Sequence, residues 1–588
     1  MKNAVYITGA GIISAIGNNK AEVKQALLDG QSGIGEIRIL QSVHRELPCG
    51  EVKLSDEELL AMLGISSDSP YNRTALMGIV AIQEAVKQAG VPLDEAFLLS
   101  GTTVGGMDRT ELHFLDMLEH DDNLNLLSSH DAGSTTRFMA DYFGIPQQRT
   151  ATVSTACSSA ANAFIVGANL IKTGRAEIVI VGGCEALSLF HLNGFNSLMI
   201  LDTDRCRPFD DTRKGLNLGE GAAFMVLESA ASVQRRGAKA LAVLSGYGNR
   251  CDAFHQTASS ADGEGAYLAM TDALTMAGLA PDKIDYINAH GTGTPNNDLS
   301  ESRALKRLFS QIMPRVSSTK SFTGHTTSAS GGIEMVICLL ALLDGFVPAN
   351  LGWKNQMPEG ITPSLGETDV VLNHVMCNSF GFGGNDSSLV VSRVGCEDEA
   401  KSEYAPEPVS MEVLATVRFT PDMSDRIKEF IKPMEARRLG KLQKAALITS
   451  LSALREANME CPDAIVVGTS YGMLENSEKF LMQLCRDGEQ ELSPTLFMQS
   501  THNTIAGTLA IHTHCHGYNI TYTQLGEQQV LDRCMQDVEM LMQEGQISYA
   551  LIGYHNEVTP ALHDMILRLR GEDVPVGVDS VAMVIRKR

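Results

Sequence analysis

Residues 178–183, Ile-Val-Ile-Val-Gly-Gly, form an apolar run without the polar–apolar alternation of a half-exposed strand. A strand of this composition is buried on both faces, as strands in the middle of a parallel sheet are. Further strand-like stretches occur at 97–103 and 223–227, and the apolar spacing at 75–89 is that of a helix. This alternation of strands and helices predicts an α/β fold in which helices and sheets are stacked in layers.

The overall composition argues against several classes of function. The chain has 588 residues and a formal net charge of −23, which disfavours nucleic acid and anionic membranes as partners. Its 12 cysteines contain no CxxC pair, so neither a disulfide framework nor a metal site is predicted. The first residues lead directly into a strand without a signal peptide, and the longest apolar run, 335–343, is too short to span a bilayer. We therefore expect a cytoplasmic protein with no membrane span.

Cys157 lies where a strand is followed by a sharp turn and a helix. The sequence around it, Thr152 to Phe164, reads as a β-branched strand that gives way to small residues and then to an Ala- and Ser-rich helix. A thiol at the start of a helix lies at the positive end of the helix dipole, which favours the thiolate. This segment predicts a nucleophilic cysteine, although a buried structural cysteine would be the commoner interpretation of Cys157 alone.

Two histidines end further strands. His290 ends the strand-like segment that begins at Ile287 and precedes Gly-Thr-Gly-Thr, while His325 closes the segment Lys-Ser-Phe-Thr-Gly-His that begins at Lys320. Chemistry in α/β enzymes is placed at the carboxyl ends of strands. A glycine-rich segment at 380–385 allows close approach of the backbone, so its N–H groups can face an oxyanion.

Together, these motifs resemble the signatures of the β-ketoacyl-acyl carrier protein synthases of the elongating, Cys-His-His type. The resemblance covers about residues 1–395, with the motifs in the expected order, and implies a thiolase-like fold of α-β-α-β-α layers. A thiolase proper would carry a second catalytic cysteine where this chain has His325, so the resemblance favours decarboxylating chemistry. The chain is similar to the ketosynthases of aryl polyene and flexirubin-type pigment pathways.

The resemblance implies a role for each motif residue. Cys157 would accept the acyl chain, His290 and His325 would promote decarboxylation of a malonyl thioester, and Lys320, paired with Glu301, would order the site. Decarboxylation drives such a condensation, so no cofactor is expected beyond the phosphopantetheine that the acyl carrier protein delivers.

The resemblance also implies the binding groups. Backbone N–H groups of Cys157 and Phe382 would form the oxyanion hole. Thr292 and Thr294 would hydrogen-bond the phosphopantetheine arm, and Phe380 and Phe382 would contact the substrate.

After an acidic, proline-containing linker at 396–410, residues 411–588 look like a degenerate repeat of the first half of the synthase. Residues 465–472 echo 98–105, and 547–553 echo 177–183, an alignment that places Gln528 opposite Cys157. A glutamine in place of the nucleophile resembles the chain length factors, the inactive partners of ketosynthases. A decayed duplication that only covers apolar surface is the alternative.

The predicted organisation is therefore a synthase of two halves, 1–232 and 233–395, followed by the linker and the half domain 411–588. We expect this half domain to dock at an interface, in a homodimer or as a pseudo-heterodimer within one chain. The predicted function is decarboxylative condensation of a carrier-bound acyl chain with malonyl-acyl carrier protein, in polyene, pigment or fatty-acid-like elongation. The alternatives are a thiolase-like acyltransferase acting on coenzyme A esters and a non-catalytic chain-length or scaffold partner.

Overall fold

The computed structural model describes residues 4–67, 69–396 and 408–588. Within them, one sheet of 15 strands runs through the protein, and a separate sheet has two strands. The long sheet divides into three five-stranded units along the chain, which we call the first, second and third units. Of the predicted linker 396–410, residues 397–407 lie outside the described residues.

The first unit spans residues 5–236. Its strands are β1 (Val5–Ser14), β2 (Phe97–Gly101), β3 (Thr150–Val153), β4 (Ile178–Glu185) and β5 (Gly221–Ser229). Its helices are α1 (Lys20–Leu28), α2 (Asp56–Leu63), α3 (Arg73–Ala89), α4 (Met107–Glu119), α5 (Gly133–Phe143), α6 (Ser159–Lys172), α7 (Leu189–Ser197) and α8 (Ala230–Arg236). The strand order is β3-β2-β4-β5-β1, with β2 parallel to β3 and β4. The predicted double-sided strand is β4, which is buried at every position.

The second unit spans residues 242–392. Its strands are β6 (Ala242–Cys251), β7 (Tyr286–Asn288), β8 (Arg315–Ser317), β9 (Phe346–Val347), β10 (Glu367–Thr368), β11 (His374–Gly381) and β12 (Asn385–Ser392). Its helices are α9 (Glu264–Ala277), α10 (Pro295–Leu308), α11 (Lys320–Thr323) and α12 (Ser330–Asp344). The order β6-β12-β11-β7-β8 repeats that of the first unit in reverse, and β9 and β10 form the small sheet. Only Tyr6 with Val243 and Ile7 with Ala242 pair β1 with β6.

Helices α6 and α12 fill the space between the first two units. Residues 159–171 of α6 and 330–342 of α12 are all buried, and both helices contact strands of both units. A helix that is apolar all round belongs in such a core. The segment Thr327–Asp344 is long and apolar enough to cross a membrane, but 89% of it is buried inside the protein. The arrangement confirms the predicted thiolase-like α-β-α-β-α fold.

The third unit spans residues 411–587 and repeats the first. Its strands are β13 (Met411–Arg418), β14 (Ala464–Thr469), β15 (Tyr518–Thr523), β16 (Tyr549–Val558) and β17 (Gly577–Lys587). Its helices are α13 (Pro433–Ala436), α14 (Lys441–Glu456), α15 (Leu474–Asp487), α16 (Pro494–Met498), α17 (Thr504–Thr513), α18 (Glu527–Gln543) and α19 (Pro560–Arg570). The strand order β15-β14-β16-β17-β13 matches that of the first unit position by position. The predicted second thiolase-like half is therefore present.

Strand β15 joins the third unit to the first. Tyr522 pairs antiparallel with Val153 of β3, and the Ser154 N–H donates to the Thr521 carbonyl (2.9 Å). Asn249 of β6 contacts the third unit from the second, because its side chain donates to the Asn519 carbonyl (2.9 Å). The third unit thus packs against the other two within its own chain, with its innermost strand beside the strand that leads to Cys157.

Helix α18 shows how the third unit is adapted to its position. Its counterpart α6 is buried on all sides, whereas α18 exposes Gln528, Gln529 and Asp532 and buries Val530, Cys534, Val538 and Leu541. In the first copy, the second unit covers α6. The described residues contain no corresponding unit to cover α18. The helix is accordingly amphipathic. Polar residues on its outer face replace the apolar residues of α6, which would form a large exposed apolar patch at this position.

Candidate active site

Cys157 lies on a tight turn between β3 and α6. Residues Ala156–Ser158 form a single 3-10 turn, and Ala156 has a φ of 52°, a left-handed conformation that is strained for alanine. The Ser158 hydroxyl donates to Asn385 Oδ1 (2.7 Å), and the Asn162 side-chain N–H donates to the same oxygen (2.7 Å). These bonds fix the turn, so the Cys157 thiol, 5% exposed, is held at the start of the buried helix.

His325 and His290 meet this thiol, as predicted. His325 Nε2 lies 3.1 Å from Cys157 Sγ, and its Nδ1 lies 2.9 Å from the Ser330 hydroxyl. The His290 ring is 5.4 Å from the His325 ring, at 82°. One nitrogen of each ring and the Cys157 sulfur lie within 4.8 Å of one another. The three groups are therefore close enough to contact the same reacting group of a substrate.

Lys320 is also in the site, but its acidic partner differs from the prediction. Lys320 Nζ donates to Glu334 Oε1 (2.5 Å) and lies 3.4 Å from His290 Nδ1. The predicted pairing of Lys320 with Glu301 is wrong. Glu334 projects from α12, directly beside the short helix α11 that carries Lys320, and both side chains are buried.

Glu301 instead supports the His290 loop through its backbone. Its carboxylate accepts the N–H groups of His290 (2.9 Å) and Gly291 (2.8 Å), and the Asn378 side chain lies within hydrogen-bond distance of it (3.3 Å). Because the loop amides occupy both carboxylate oxygens, Glu301 is directed at the backbone of the loop. Burial raises the pKa of Glu301 to about 7, against the effect of these hydrogen bonds.

The two site histidines are neutral. Burial, and then the positive charge of Lys320, hold the pKa values of His290 and His325 well below the usual range. Burial also raises the pKa of the Cys157 thiol to about 11, while the Lys320 charge and a hydrogen bond from the Phe382 amide act in the opposite direction. The resting pair of Cys157 and His325 is therefore a thiol beside a neutral imidazole.

The Phe382 amide points at Cys157 from the glycine-rich turn that joins β11 to β12. A Cβ atom at Gly381 would lie 2.8 Å from the Thr155 carbonyl oxygen and 3.2 Å from the Cys157 nitrogen, so glycine lets the two segments approach. Gly383 has a φ of 84°, which glycine adopts without strain. The Phe382 amide thus faces the Cys157 sulfur, in the region where the family resemblance implies an oxyanion hole.

The site opens into two cavities that share Cys157, Phe195 and Phe382. The outer cavity has a volume of about 340 Å³ and is lined by His290, Thr292, Thr294 and Phe380 among others. The hydroxyls of Thr292 and Thr294 lie 2.9 Å apart. The predicted substrate-contacting residues therefore all lie on the outer cavity.

The inner cavity runs from Cys157 to the boundary between the first and third units. Helix α7 contributes Phe190, His191 and Phe195, and the third unit contributes Tyr471, Leu474, Ser477, Phe497, Ser500, Thr501 and His502. The Phe497 ring packs on those of Phe195 (5.4 Å) and Phe190 (5.8 Å). The sequence did not predict these third-unit residues, although the echo of 98–105 in 465–472 aligns Tyr471 with Val104, which lines the same cavity.

Gln528 does not occupy the position of Cys157. Gly101 pairs with Val153 and its counterpart Gly468 pairs with Tyr522, so the residue four places further, opposite Cys157, is Gly526. The proposed alignment fails because the segment from Tyr522 to the end of α18 is longer: α18 has 17 residues and α6 has 14. Gln528 lies in the first turn of α18, exposed, and donates to Asp532 (2.7 Å).

Comparisons with known proteins agree with this geometry. A family profile described as the β-ketoacyl synthase N-terminal domain matches residues 2–232, the corresponding C-terminal domain matches 241–354, and a second N-terminal profile matches 415–587. The 3-oxoacyl-[acyl-carrier-protein] synthase 2 of Synechocystis is 33% identical over 413 residues, which cover 67% of this chain and 98% of the relative.

Two solved structures extend the comparison. The ishigamide ketosynthase/chain length factor is 29% identical, with a TM-score of 0.61 over 67% of this chain and all of that one. The PfaC keto synthase–chain length factor, at 15% identity, shares the fold alone, with a TM-score of 0.82 over the whole of this chain and 78% of that one.

Fold and comparisons together define a thiolase-fold enzyme of the acyltransferase type. The chain belongs to the β-ketoacyl synthase family, with a second N-terminal-type synthase domain following the complete first copy.

Proposed function

We propose that this chain is a ketosynthase that condenses an acyl chain, carried as a thioester on an acyl carrier protein, with a malonyl-carrier thioester, releasing carbon dioxide. The observation that carries the proposal is the 3.1 Å contact between Cys157 Sγ and His325 Nε2 in a buried site with a second neutral imidazole. The 33% identity to a 3-oxoacyl-[acyl-carrier-protein] synthase supports the same reaction class.

In the first half-reaction, Cys157 attacks the thioester carbonyl and the pantetheine thiol leaves. The thiol proton passes through His325 Nε2, which already faces Sγ, to the leaving thiolate. The carbonyl oxygen becomes negatively charged between the amides of Cys157 and Phe382. No stable ion pair is needed beforehand, because the neutral histidine accepts the proton only as the bond forms.

In the second half-reaction, the malonyl carboxylate leaves as carbon dioxide, and the resulting enolate attacks the acyl group on Cys157 and displaces the Cys157 thiolate, which regains its proton. The enolate oxygen needs hydrogen-bond donors, which His290 and His325 supply. Lys320 Nζ, 3.4 Å from His290 Nδ1, favours the tautomer with its proton on Nε2. Lys320 is neutralised by Glu334, so it orients His290 without drawing the malonyl carboxylate into the site.

The outer cavity fits the phosphopantetheine arm of the carrier protein, with the Thr292 and Thr294 hydroxyls as hydrogen-bonding groups. The inner cavity fits the acyl chain on Cys157. The boundaries 1–232, 233–395 and 411–588 would then correspond to the two synthase halves and a built-in partner. This partner lines the inner cavity and thus influences chain length, as a pseudo-heterodimer inside one chain.

The likeness to the ishigamide ketosynthase/chain length factor supports a built-in chain length factor, and the product would be a polyene, a pigment or a fatty-acid-like chain. Under the same proposal, the partner is an acyl carrier protein and the reaction takes place in the cytoplasm.

The test is reconstitution with a charged acyl carrier protein and malonyl-carrier protein, followed by intact-protein mass spectrometry and measurement of carbon dioxide. An acyl adduct on Cys157, with carbon dioxide released in proportion to product, supports the proposal. Condensation of two coenzyme A esters without carbon dioxide would show thiolase-like chemistry instead. An unmodified Cys157 with every substrate would indicate a non-catalytic partner.

A further inference from the structure

The turn that carries the Phe382 amide consists of a phenylalanine between glycines. Gly381 precedes Phe382, and Gly383 and Gly384 follow it with φ values of 84° and 73°. Glycine has wide conformational freedom, so this sequence alone does not fix the direction of the Phe382 amide. Contacts from neighbouring segments must therefore hold the turn in the orientation that faces Cys157.

Two of these contacts come from the first and second units. The Phe382 ring stacks on the ring of Phe195, with centroids 5.8 Å apart and an angle of 20° between the planes. The Gly383 N–H donates to the Gln256 carbonyl (2.7 Å). The second contact holds one end of the peptide group that follows Phe382.

The other end of that peptide group is held by the third unit. Asn503, 1% exposed, donates from its side-chain N–H to the Phe382 carbonyl (2.8 Å). Gly507, one turn further along α17, allows this approach, because a Cβ atom there would lie 2.8 Å from the Gly383 carbonyl oxygen. The peptide between Phe382 and Gly383 is therefore anchored at both its N–H and its carbonyl.

The Asn503 side chain is used across the boundary between units and not within its own helix. It directly precedes α17, where asparagine commonly caps the helix, but it makes no side-chain capping hydrogen bond. Its Oδ1 atom has no hydrogen-bond partner among the described residues. The corresponding turn before α5 in the first unit has Ala132 and Gly133, which carry no side-chain amide. The amide is thus present in the copy that contacts the Phe382 turn.

We propose that Asn503 is a positioning residue for acyl transfer. By holding the Phe382 carbonyl, it keeps the Phe382 amide directed at the oxygen that becomes negatively charged when Cys157 is acylated. The inference rests on the proposed function, because it concerns the oxyanion of that reaction. A hydrogen bond to a developing oxyanion acts mainly in the transition state. Loss of the Asn503 amide should therefore lower the maximum rate of acylation more than it weakens binding of the carrier thioester.

The test compares two reactions of Cys157 in the full-length protein. Acylation by an octanoyl-carrier thioester develops an oxyanion, whereas alkylation by iodoacetamide displaces iodide from a saturated carbon and develops none. Single-turnover intact-protein mass spectrometry follows acylation, and mass spectrometry of the Cys157 peptide follows alkylation. We expect Asn503→Leu to slow acylation at saturating carrier thioester by roughly tenfold, the effect of about one hydrogen bond, and to leave the alkylation rate unchanged.

Two further variants control for fit and for stability. Asn503→Ala should reproduce the loss with a smaller side chain, so the result does not depend on how leucine is accommodated. Asn476→Leu is the matched control, because Asn476 is also buried in the third unit, donates to the Gln499 carbonyl (3.2 Å) and lines neither cavity. It should lower the melting temperature without slowing acylation.

An unchanged acylation rate in both Asn503 variants would overturn the inference and leave the proposed function intact. Parallel changes in acylation and alkylation, or an equal loss of acylation in Asn476→Leu, would do the same. A higher half-saturating concentration of carrier thioester with an unchanged maximum rate would also overturn it. Failure of the unsubstituted protein to acylate Cys157 would overturn both.

Discussion

Val153 pairs with Tyr522 across the boundary between the first and third units, four residues before Cys157. Cys157 therefore lies on the turn after a strand, β3, that pairs with β15 of the third unit. Substitutions in the third unit should therefore change the activity of the site, because they can shift this strand or the residues that line the inner cavity.

Cys157→Ala should remove the acyl adduct and all condensation, since no other group in the site can form the thioester. Intact-protein mass spectrometry of the variant with charged carrier protein measures this directly. Cys461→Ala is the control, because Cys461 is exposed and lies outside both cavities. An adduct that persists in Cys157→Ala would contradict the assignment.

His290→Ala and His325→Ala should each lower carbon dioxide release by roughly 100-fold or more while Cys157 acylation remains detectable. Acyl transfer to a thiol needs less assistance than formation of an enolate, for which these residues supply the donors. Separate single-turnover measurements of adduct formation and carbon dioxide release resolve the two steps. Equal losses in both steps would argue against this division of labour.

Decarboxylation should show no loss of rate centred near pH 6.5, the usual pKa of histidine. The pKa values of His290 and His325 are held well below that value by burial and by Lys320, so both rings stay neutral as the pH falls through it. The rate of carbon dioxide release from pre-acylated protein between pH 5.5 and 8 is the measurement. An acid limb with an apparent pKa near 6.5 would show that the site is more hydrated than the structure indicates.

Lys320→Met should destabilise the protein by about 3–5 kcal/mol, because it leaves the buried Glu334 carboxylate without its partner. The double variant Lys320→Met/Glu334→Gln should recover much of this loss, since the unpaired charge is removed. Denaturant unfolding followed by circular dichroism gives the three free energies. If Glu301→Gln rather than Glu334→Gln rescued Lys320→Met, the pairing described above would be incorrect.

Gly194→Ala should disrupt the contact between α7 and α16, because a Cβ atom there would lie 2.1 Å from the Phe497 ring. Phe497→Ala in the same chain should relieve the clash and partly restore stability and acyl loading. Phe497→Ala alone should enlarge the inner cavity, lengthen the products, and destabilise the protein by about 3–5 kcal/mol. Melting temperatures and the product distribution test both effects. Additive losses in the double variant would show that the two residues do not touch in solution.

The central site could be predicted because strand-end motifs fix it locally. Cys157 and His290 lie within a few residues of the ends of β3 and β7, and His325 follows β8 after the short helix α11, so the sheet brings them together once the strands are ordered. The partner of Lys320 was missed, although Glu334 is the single acid in the apolar run 330–343, a position where a buried charge needs a partner.

The third-unit residues of the inner cavity could not be predicted, because their position depends on how the third unit packs against the first. His502 and Phe497 lie in a segment whose local pattern is unremarkable, and the packing of the third unit against the first brings them to the inner cavity. The sequence alignment that placed Gln528 opposite Cys157 was wrong because α18 is longer than α6. The pairing of neighbouring strands does not depend on helix length, so it gives the correct correspondence. Contacts between distant units are therefore the part that sequence patterns alone do not reveal.

The fusion of β15 and β3 in one polypeptide also sets the stoichiometry of the assembly. A separate partner subunit would have to be made in matching amounts and would bind by a concentration-dependent encounter, whereas a tethered one is present at a high effective concentration in every molecule. Every folded chain therefore carries one thiol site and one copy of the wall that shapes it. Dilution of the protein cannot strip that wall from the site, and a different partner cannot be exchanged for it without displacing the unit that the chain already supplies.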